Sequence, residues 1–253
     1  MERLESKADD AEPRLPHPRD VWAALGLLTA LPCVALDIRS ARAAPATLFF
    51  PIVGGLMGLL LMGGNWILGA RLPPVLSAVV LVAVWEAVSG GVALQACGGR
   101  NRDSSWSRFQ IGAARSAKVL CAVMAAVLLL KVVLLTRYVA SRSAALLFAP
   151  MLARWAMVVL AVGARDAAAP SSKLNTAITF REFALTSVLT CAIVFTVAQA
   201  FGILLVVGVA ALTLVLRLLQ HRQPGGTSWP LLLASAELVE LLVVVIGAAV
   251  LSA

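Results

Sequence analysis

Long runs of apolar residues constrain this chain more than any other feature of its sequence. A helix needs about 20 apolar residues to cross the hydrocarbon core of a bilayer. Five runs meet that requirement, and they cover residues 46–70, 74–94, 117–135, 144–164 and 231–251. A sixth run, 183–219, would form a helix of about 55 Å, which is too long for one crossing. We therefore predict a helical hairpin there that turns near residues 199–202.

The composition agrees with these runs. Hydrophobic residues make up 60% of the 253 residues and charged residues only 13%, whereas soluble domains average about 45–50% and about 25%. This difference excludes a soluble globular domain, a disordered chain and a coiled coil. Helices satisfy their own backbone hydrogen bonds in lipid. The predicted fold is therefore all-α, a polytopic integral membrane helix bundle with six to eight transmembrane helices and no sheet.

The amino-terminal segment differs from the rest of the chain. Residues 1–20 contain six acidic and four basic side chains and three prolines, which predicts a disordered cytosolic tail. Residues 21–253 are then a single membrane domain. The run 21–36 is short and is interrupted by Pro32, so it is either a marginal span or a re-entrant segment.

The net charge of +8 is informative about topology. In a membrane protein such an excess reports loop orientation rather than a nucleic-acid partner, since Lys and Arg collect on the cytosolic side. If residues 21–36 do not cross the membrane, the segments on one side carry sixteen basic residues and those on the other side carry three. This favours about seven spans in a bacterial or archaeal-type inner membrane, with the long basic segments 95–118, 164–182 and 217–230 on the cytosolic side. A phosphate-bearing substrate at the membrane surface is the alternative reason for the charge.

Five ionisable residues interrupt the apolar runs, namely Glu86, Lys131, Arg154, Glu237 and Glu240. A charge at the centre of a membrane helix costs about 2.5–3.5 kcal/mol or more, so the default interpretation is functional. Glu237 and Glu240 share one helix face, and a metal ion or one of the two cations would relieve their repulsion. The alternative is a structural salt bridge between spans, or, for Lys131, a side chain that reaches back to the membrane surface. Either way, we predict that Lys131, Arg154, Glu237 and Glu240 converge.

Small residues predict where two helices approach closely. Gly54, Gly55 and Gly58 lie within one run at spacings that allow close helix packing. We predict that all three contact another helix.

Several short strings occur in a characteristic order along the chain. They are Leu-Thr-Ala-Leu-Pro at 28–32, Phe-Pro-Ile-Val-Gly-Gly-Leu-Met-Gly at 50–58, Leu-Pro-Pro at 72–74 with Gly-Gly at 90–91, Ile-Gly at 111–112 before Lys131, Ala-Pro at 149–150 with Arg-Trp-Ala-Met at 154–157, and Gly-Gly-Thr at 225–227 before Glu-Leu-Val-Glu at 237–240. In this order they resemble the integral-membrane cobalamin synthases, or adenosylcobinamide-GDP ribazoletransferases. The resemblance covers nearly the whole chain from about residue 20.

The resemblance implies an activity and a set of site residues. The family joins α-ribazole, or its phosphate, to adenosylcobinamide-GDP in the last steps of cobalamin (vitamin B12) biosynthesis, releases GMP and requires Mg²⁺. By this resemblance the membrane, adenosylcobinamide-GDP and α-ribazole are the expected partners. The implied catalytic residues are Glu237, Glu240 and Arg154, and the implied substrate-binding residues are Lys131, Arg100 and Arg102.

One segment departs from the family pattern. Where the family carries the acidic signature His-x-Asp-Gly-x-x-Asp, this chain has Ala93, Gln95 and Gly99 at the characteristic positions. Mg²⁺ is usually held by one or two carboxylates together with substrate phosphates. The remaining metal candidates are therefore Asp103, Glu237 and Glu240.

The departure leaves the function open between three hypotheses. The first is a divergent ribazoletransferase. The second is a catalytically impaired pseudoenzyme of the same fold that binds a phosphorylated corrinoid or partners of the pathway. The third is a small transporter whose buried charges line a path, although the two halves of the chain show no convincing repeat.

Overall fold

The computed structural model describes residues 17–29, 46–90, 113–139, 142–162, 178, 180–221 and 229–251. Within these ranges the chain is helical, without strands, which confirms the all-α prediction. The elements are α1 (Pro18–Leu28), a short 3-10 helix (Thr47–Phe49), α2 (Phe50–Gly69), α3 (Pro74–Val88), α4 (Ala113–Arg137), α5 (Arg142–Ala161), α6 (Phe180–His221) and α7 (Trp229–Leu251).

The helix α1 begins inside the segment predicted as a disordered tail. A carboxylate oxygen of Asp20 accepts a hydrogen bond from the backbone N–H of His17 at 2.8 Å, and Pro18 occupies the first helical position. These are the usual signals of a helix start, and the helix begins two residues before the predicted end of the tail. With 11 residues, α1 extends only about 16 Å and is too short to cross a bilayer. Residues 1–16 and 30–45 lie outside the described ranges.

The closest helix packing joins α2 to α5. A Cβ atom at Gly54 would lie 2.5 Å from the carbonyl oxygen of Pro150, and one at Gly58 would clash with the carbonyl of Leu147. Gly55 faces the sulfur atom of Met151. The backbones approach this closely because these positions lack side chains, and the prediction that all three glycines contact another helix is confirmed.

The long run 183–219 forms a hairpin, as predicted. Gln199 interrupts α6 with φ 49° and ψ −127°, which no helix contains. Gly202 lies against the carbonyl oxygen of Val194, although residues eight apart in a straight helix are separated by about 12 Å. The chain therefore reverses at Gln199, and the two halves of α6 run antiparallel.

The helix α5 lies at the centre of the bundle, between α2, α6 and α7. Nearly all of its residues are buried, whereas the outer helices expose large apolar side chains such as Leu129, Val188 and Val207. Four of the described helices are long and apolar enough to cross a membrane, and one of these is the two-part α6. The helix α3 is also apolar but has only 15 residues, and the described helices agree with the predicted integral membrane helix bundle.

Candidate functional site

Five charged side chains meet in the interior of the bundle, and we refer to them as the ion cluster. Glu86 comes from α3, Lys131 from α4, Arg154 from α5, and Glu237 and Glu240 from α7. Each is at least 93% buried. The predicted convergence of Lys131, Arg154, Glu237 and Glu240 is thus observed, and Glu86 joins them.

Lys131 is the centre of the cluster. Its ammonium nitrogen donates to Oε2 of Glu237 at 2.6 Å and to Oε2 of Glu240 at 2.7 Å. Oε1 of Glu86 lies 3.8 Å from the same nitrogen. The side chain is fully buried, so Lys131 does not reach back to the membrane surface, and its charge is balanced within the protein.

Arg154 closes the other side of the cluster. Its Nη1 donates to Oε1 of Glu240 at 2.8 Å, and its Nη2 donates to the hydroxyl of Ser89 at 3.1 Å. The sulfur of Met57 lies 4.0 Å from Nη2. Both oxygens of Glu240 are therefore occupied by cations, while described residues donate to only one oxygen of Glu237.

The pairing follows from helix geometry and from the cost of burying charge. Residues three apart lie on the same face of a helix, so Glu237 and Glu240 reach the same neighbours. An unpaired charge in the interior costs several kcal/mol, which attraction to an opposite charge offsets only when hydrogen bonds are also made. Short contacts of 2.6–2.8 Å meet that condition.

The members of the cluster lie at different positions along their helices, since Glu240 is at the middle of α7 and Lys131 lies six residues before the end of α4. Glu86 precedes the end of α3 by two residues, Arg154 precedes the end of α5 by seven, and Glu237 follows the start of α7 by eight. These three helix ends border residues 91–112, 163–177 and 222–228, which overlap the long connections predicted to be cytosolic. The arrangement can fix the positions of the helix ends from which those connections begin.

A third buried cation, Arg142, lies outside the ion cluster and was not predicted from the sequence. Its Nε donates to the carbonyl of Leu135 at 2.7 Å, and its Nη1 donates to Ser77 at 2.8 Å and to Asn65 at 3.3 Å. It joins α5 to the ends of α2, α3 and α4, about 18 Å along α5 from Arg154. Its acceptors are all neutral oxygens. A basic residue between two apolar runs has the pattern of an ordinary loop charge, so its burial could not be recognised from the sequence.

The remaining predicted site residues lie outside the described ranges. They are the proposed substrate-binding Arg100 and Arg102, the metal candidate Asp103, and the positions Ala93, Gln95 and Gly99 that replace the family's acidic signature.

The described residues do not fit a magnesium ion. No group of three or more His, Cys, Asp or Glu side chains suited to hold a metal occurs in the part of the chain that the structure describes. Mg²⁺ needs oxygen ligands at about 2.0–2.1 Å in near-octahedral geometry. Three of the four oxygens of Glu237 and Glu240 instead contact Lys131 or Arg154.

Comparison with known proteins shows which protein family this chain resembles over most of its length. A sequence model of the family described as cobalamin-5-phosphate synthase matches residues 20–96 and 119–248, which is most of the chain. An adenosylcobinamide-GDP ribazoletransferase of Geotalea daltonii is 34% identical over 130 residues, which cover 47% of this chain and 51% of that protein. The chain thus spans about half the length of this curated relative. No solved structure matches the chain.

Proposed function

The chain belongs to the cobalamin-5-phosphate synthase family, and we propose that it is a membrane transferase which joins α-ribazole or its phosphate to adenosylcobinamide-GDP. The family match and the apolar helices make it an integral membrane protein. The observation that carries the proposal is that all five residues of the ion cluster fall inside the matched ranges 20–96 and 119–248.

Two buried N–H groups without a partner, one in the ion cluster and one on the tryptophan beside it, support a role beyond holding the bundle together. Nε of Arg154 and Nε1 of Trp85 are buried and donate to no described residue. A buried N–H without a partner costs about 1–3 kcal/mol, and such groups are rare in native structures. A purely structural cluster gains nothing from them. A substrate oxygen or an ordered water that accepts from these donors would remove the cost.

We assign different roles to the two carboxylates of α7. Glu240 is held on both oxygens by Lys131 and Arg154, so it positions those two cations. Oε1 of Glu237 accepts no hydrogen bond from the described residues, and this carboxylate is our candidate for contact with the substrate. Arg154 is the candidate for contact with a phosphate oxygen through its Nε.

The family resemblance implies Mg²⁺, which would neutralise charge on the transferred phosphoryl group. Because the described residues do not fit that ion, we assign none of them to it. The proposed contribution of the chain is to bind and orient the substrate at Glu237 and Arg154, and to keep water away from a buried site.

A catalytically impaired member of the family is the second candidate. It is favoured by one observation, which is that the family match is interrupted between residues 97 and 118. This interruption begins within the segment where Ala93, Gln95 and Gly99 replace the acidic signature. Such a protein would bind a phosphorylated corrinoid without turning it over.

A reconstitution assay tests the proposed activity. The purified full-length protein in nanodiscs is given adenosylcobinamide-GDP, α-ribazole or its phosphate, and Mg²⁺, and the corrinoid product is measured by mass spectrometry. The transferase predicts a product that contains ribazole and an equal amount of GMP, neither of which forms when either substrate is omitted. Binding of adenosylcobinamide-GDP without any product would instead support the impaired member. Absence of both binding and product would contradict both candidates.

A further inference from the structure

We propose that Lys131 is the resident cation of a three-carboxylate centre and that it excludes divalent metal ions from this centre. The inference concerns Glu86, Glu237 and Glu240, and it stands whether or not the chain transfers ribazole. It is the opposite of the simplest expectation from the sequence, in which Glu237 and Glu240 are two of the three metal candidates.

The first observation is the geometry around the ammonium nitrogen. Two carboxylate oxygens lie at 2.6 and 2.7 Å and a third lies at 3.8 Å. Three carboxylates from two helices thus surround one cation, at the place where a metal ion would have to bind if these carboxylates were its ligands. Here the ammonium group of Lys131 occupies that position.

The second observation is the aromatic ring beside the ammonium. The nitrogen lies 4.7 Å from the centroid of the Trp85 ring, and Trp85 is fully buried. An aromatic face attracts an ammonium through the ring quadrupole. It offers no oxygen ligand, whereas Mg²⁺ requires six and gives up its water reluctantly. This side of the centre therefore suits a lysine and not a hydrated metal.

The third observation is the charge on the far side of Glu240. Oε1 of Glu240 is bound by Arg154 at 2.8 Å. A divalent ion added next to Lys131 would meet two fixed cations and only three carboxylates. The centre already balances most of its charge internally, so a metal ion gains little by entering while the ammonium is present.

A consequence follows for any requirement for divalent ions in turnover. If turnover requires Mg²⁺, the ion acts outside the ion cluster, and the cluster is assembled in its absence. Metal chelation should therefore leave the cluster and the stability that it provides unchanged.

Binding of Mn²⁺ to the full-length protein in detergent tests the proposal, with electron paramagnetic resonance used to count bound ions. We expect K131A to bind about one more Mn²⁺ per chain than the wild type, because Glu237 and one oxygen of Glu240 then lose the cation that they contact. K131A combined with E237Q should lose that additional ion. The matched control is R142M, which also removes a buried cation but leaves only neutral oxygens, and it should gain none.

A second comparison does not require K131A to fold, because it measures Mn²⁺ binding by the wild type and by two single variants that keep Lys131. Mn²⁺ bound by the wild type, if any, should be equal in amount and affinity in E237Q and E240Q. A loss of wild-type Mn²⁺ in either variant would overturn the proposal. A folded K131A that gains no Mn²⁺, judged by a cooperative thermal transition, would overturn it as well.

Discussion

Glu240 is the residue on which the ion cluster depends most, because each of its carboxylate oxygens accepts a hydrogen bond from a different cation. The variant E240Q removes the charge that balances Lys131 and Arg154 at once. Breaking a buried ion pair by removal of one partner costs about 3–5 kcal/mol. We expect a loss of that order in the free energy of unfolding of E240Q in detergent, and a smaller loss in E237Q.

The comparison of E237Q with E240Q controls for burial, because the two residues lie on the same face of α7. Glu237 and Glu240 are both almost fully buried, so burial alone predicts equal losses for the two variants. The account requires the larger loss in E240Q, where two cations are left without their shared acceptor. Equal losses, or a larger loss in E237Q, would contradict the assigned contacts.

At the residue scale the sequence predicted which charges matter but not how they pair. A charge inside an apolar run is visible without a structure, and this found every member of the ion cluster. The central position of Lys131 between two glutamates was not visible, since the sequence does not give the distance between α4 and α7. Arg142 was missed because it lies at a helix start, where a basic residue is unremarkable in sequence.

At the scale of the helices, the contact between α2 and α5 makes a sharp prediction. G58A places a methyl group against the main-chain carbonyl of Leu147, which cannot move aside as a side chain can. Overpacking typically costs about 1–3 kcal/mol. We expect a lower midpoint of thermal unfolding in G58A, measured in the same detergent as the wild type.

The matched control for this prediction is G63A in the same helix. A Cβ atom at Gly63 would meet nothing within 4 Å, and alanine favours a helix over glycine by about 1 kcal/mol. G63A should therefore leave stability unchanged or raise it. If the two variants are destabilised equally, the assigned helix contact is wrong.

At the turn within α6 we predict a substitution that stabilises the fold, in contrast to G58A. Gln199 adopts a positive φ of 49°, a conformation that glycine occupies without the steric cost of a Cβ atom. Q199G should raise the free energy of unfolding by about 1 kcal/mol, whereas Q199A should not raise it. A destabilised Q199G would show that the hairpin does not turn at this residue.

The helices themselves could be predicted well because length and hydropathy decide them. The hairpin in α6 follows from a run too long for one crossing, and the break falls inside the predicted range 199–202. The start of α1 was not predicted, because the acidic and proline-rich tail obscured the local signals of His17, Pro18 and Asp20. Asp20, whose carboxylate accepts the hydrogen bond at this helix start, was included among the six acidic residues of the predicted tail.

At the scale of the whole molecule, the distribution of positive charge predicts the orientation in the membrane. The amino-terminal tail and the connections 95–118, 164–182 and 217–230 should share the cytosolic side. In a background without native cysteines, S6C and S107C should react with an impermeant reagent only from that side, and S141C only from the other. Labelling of S6C and S107C from opposite sides would show that residues 21–36 span the membrane.

The fold class and the family could be predicted from the whole sequence because they depend on many residues at once. The chemistry of the site could not be predicted to the same depth. It depends on a few contacts between distant helices and on the segment 91–112, where the sequence departs from the family pattern. The structure supplies the contacts of the ion cluster, and turnover decides how they are used.

Release of GMP by the wild type and by E237Q decides whether the chain transfers ribazole and whether Glu237 takes part in the transfer. Both proteins are purified in nanodiscs and given adenosylcobinamide-GDP, α-ribazole and Mg²⁺. The control is S187A, which removes one interhelical hydrogen bond, from Trp155, and changes no residue of the ion cluster. The account predicts GMP from the wild type and S187A and a loss of at least about 100-fold in E237Q, comparable to removal of one preorganised active-site group. GMP release by E237Q at the wild-type rate would contradict it.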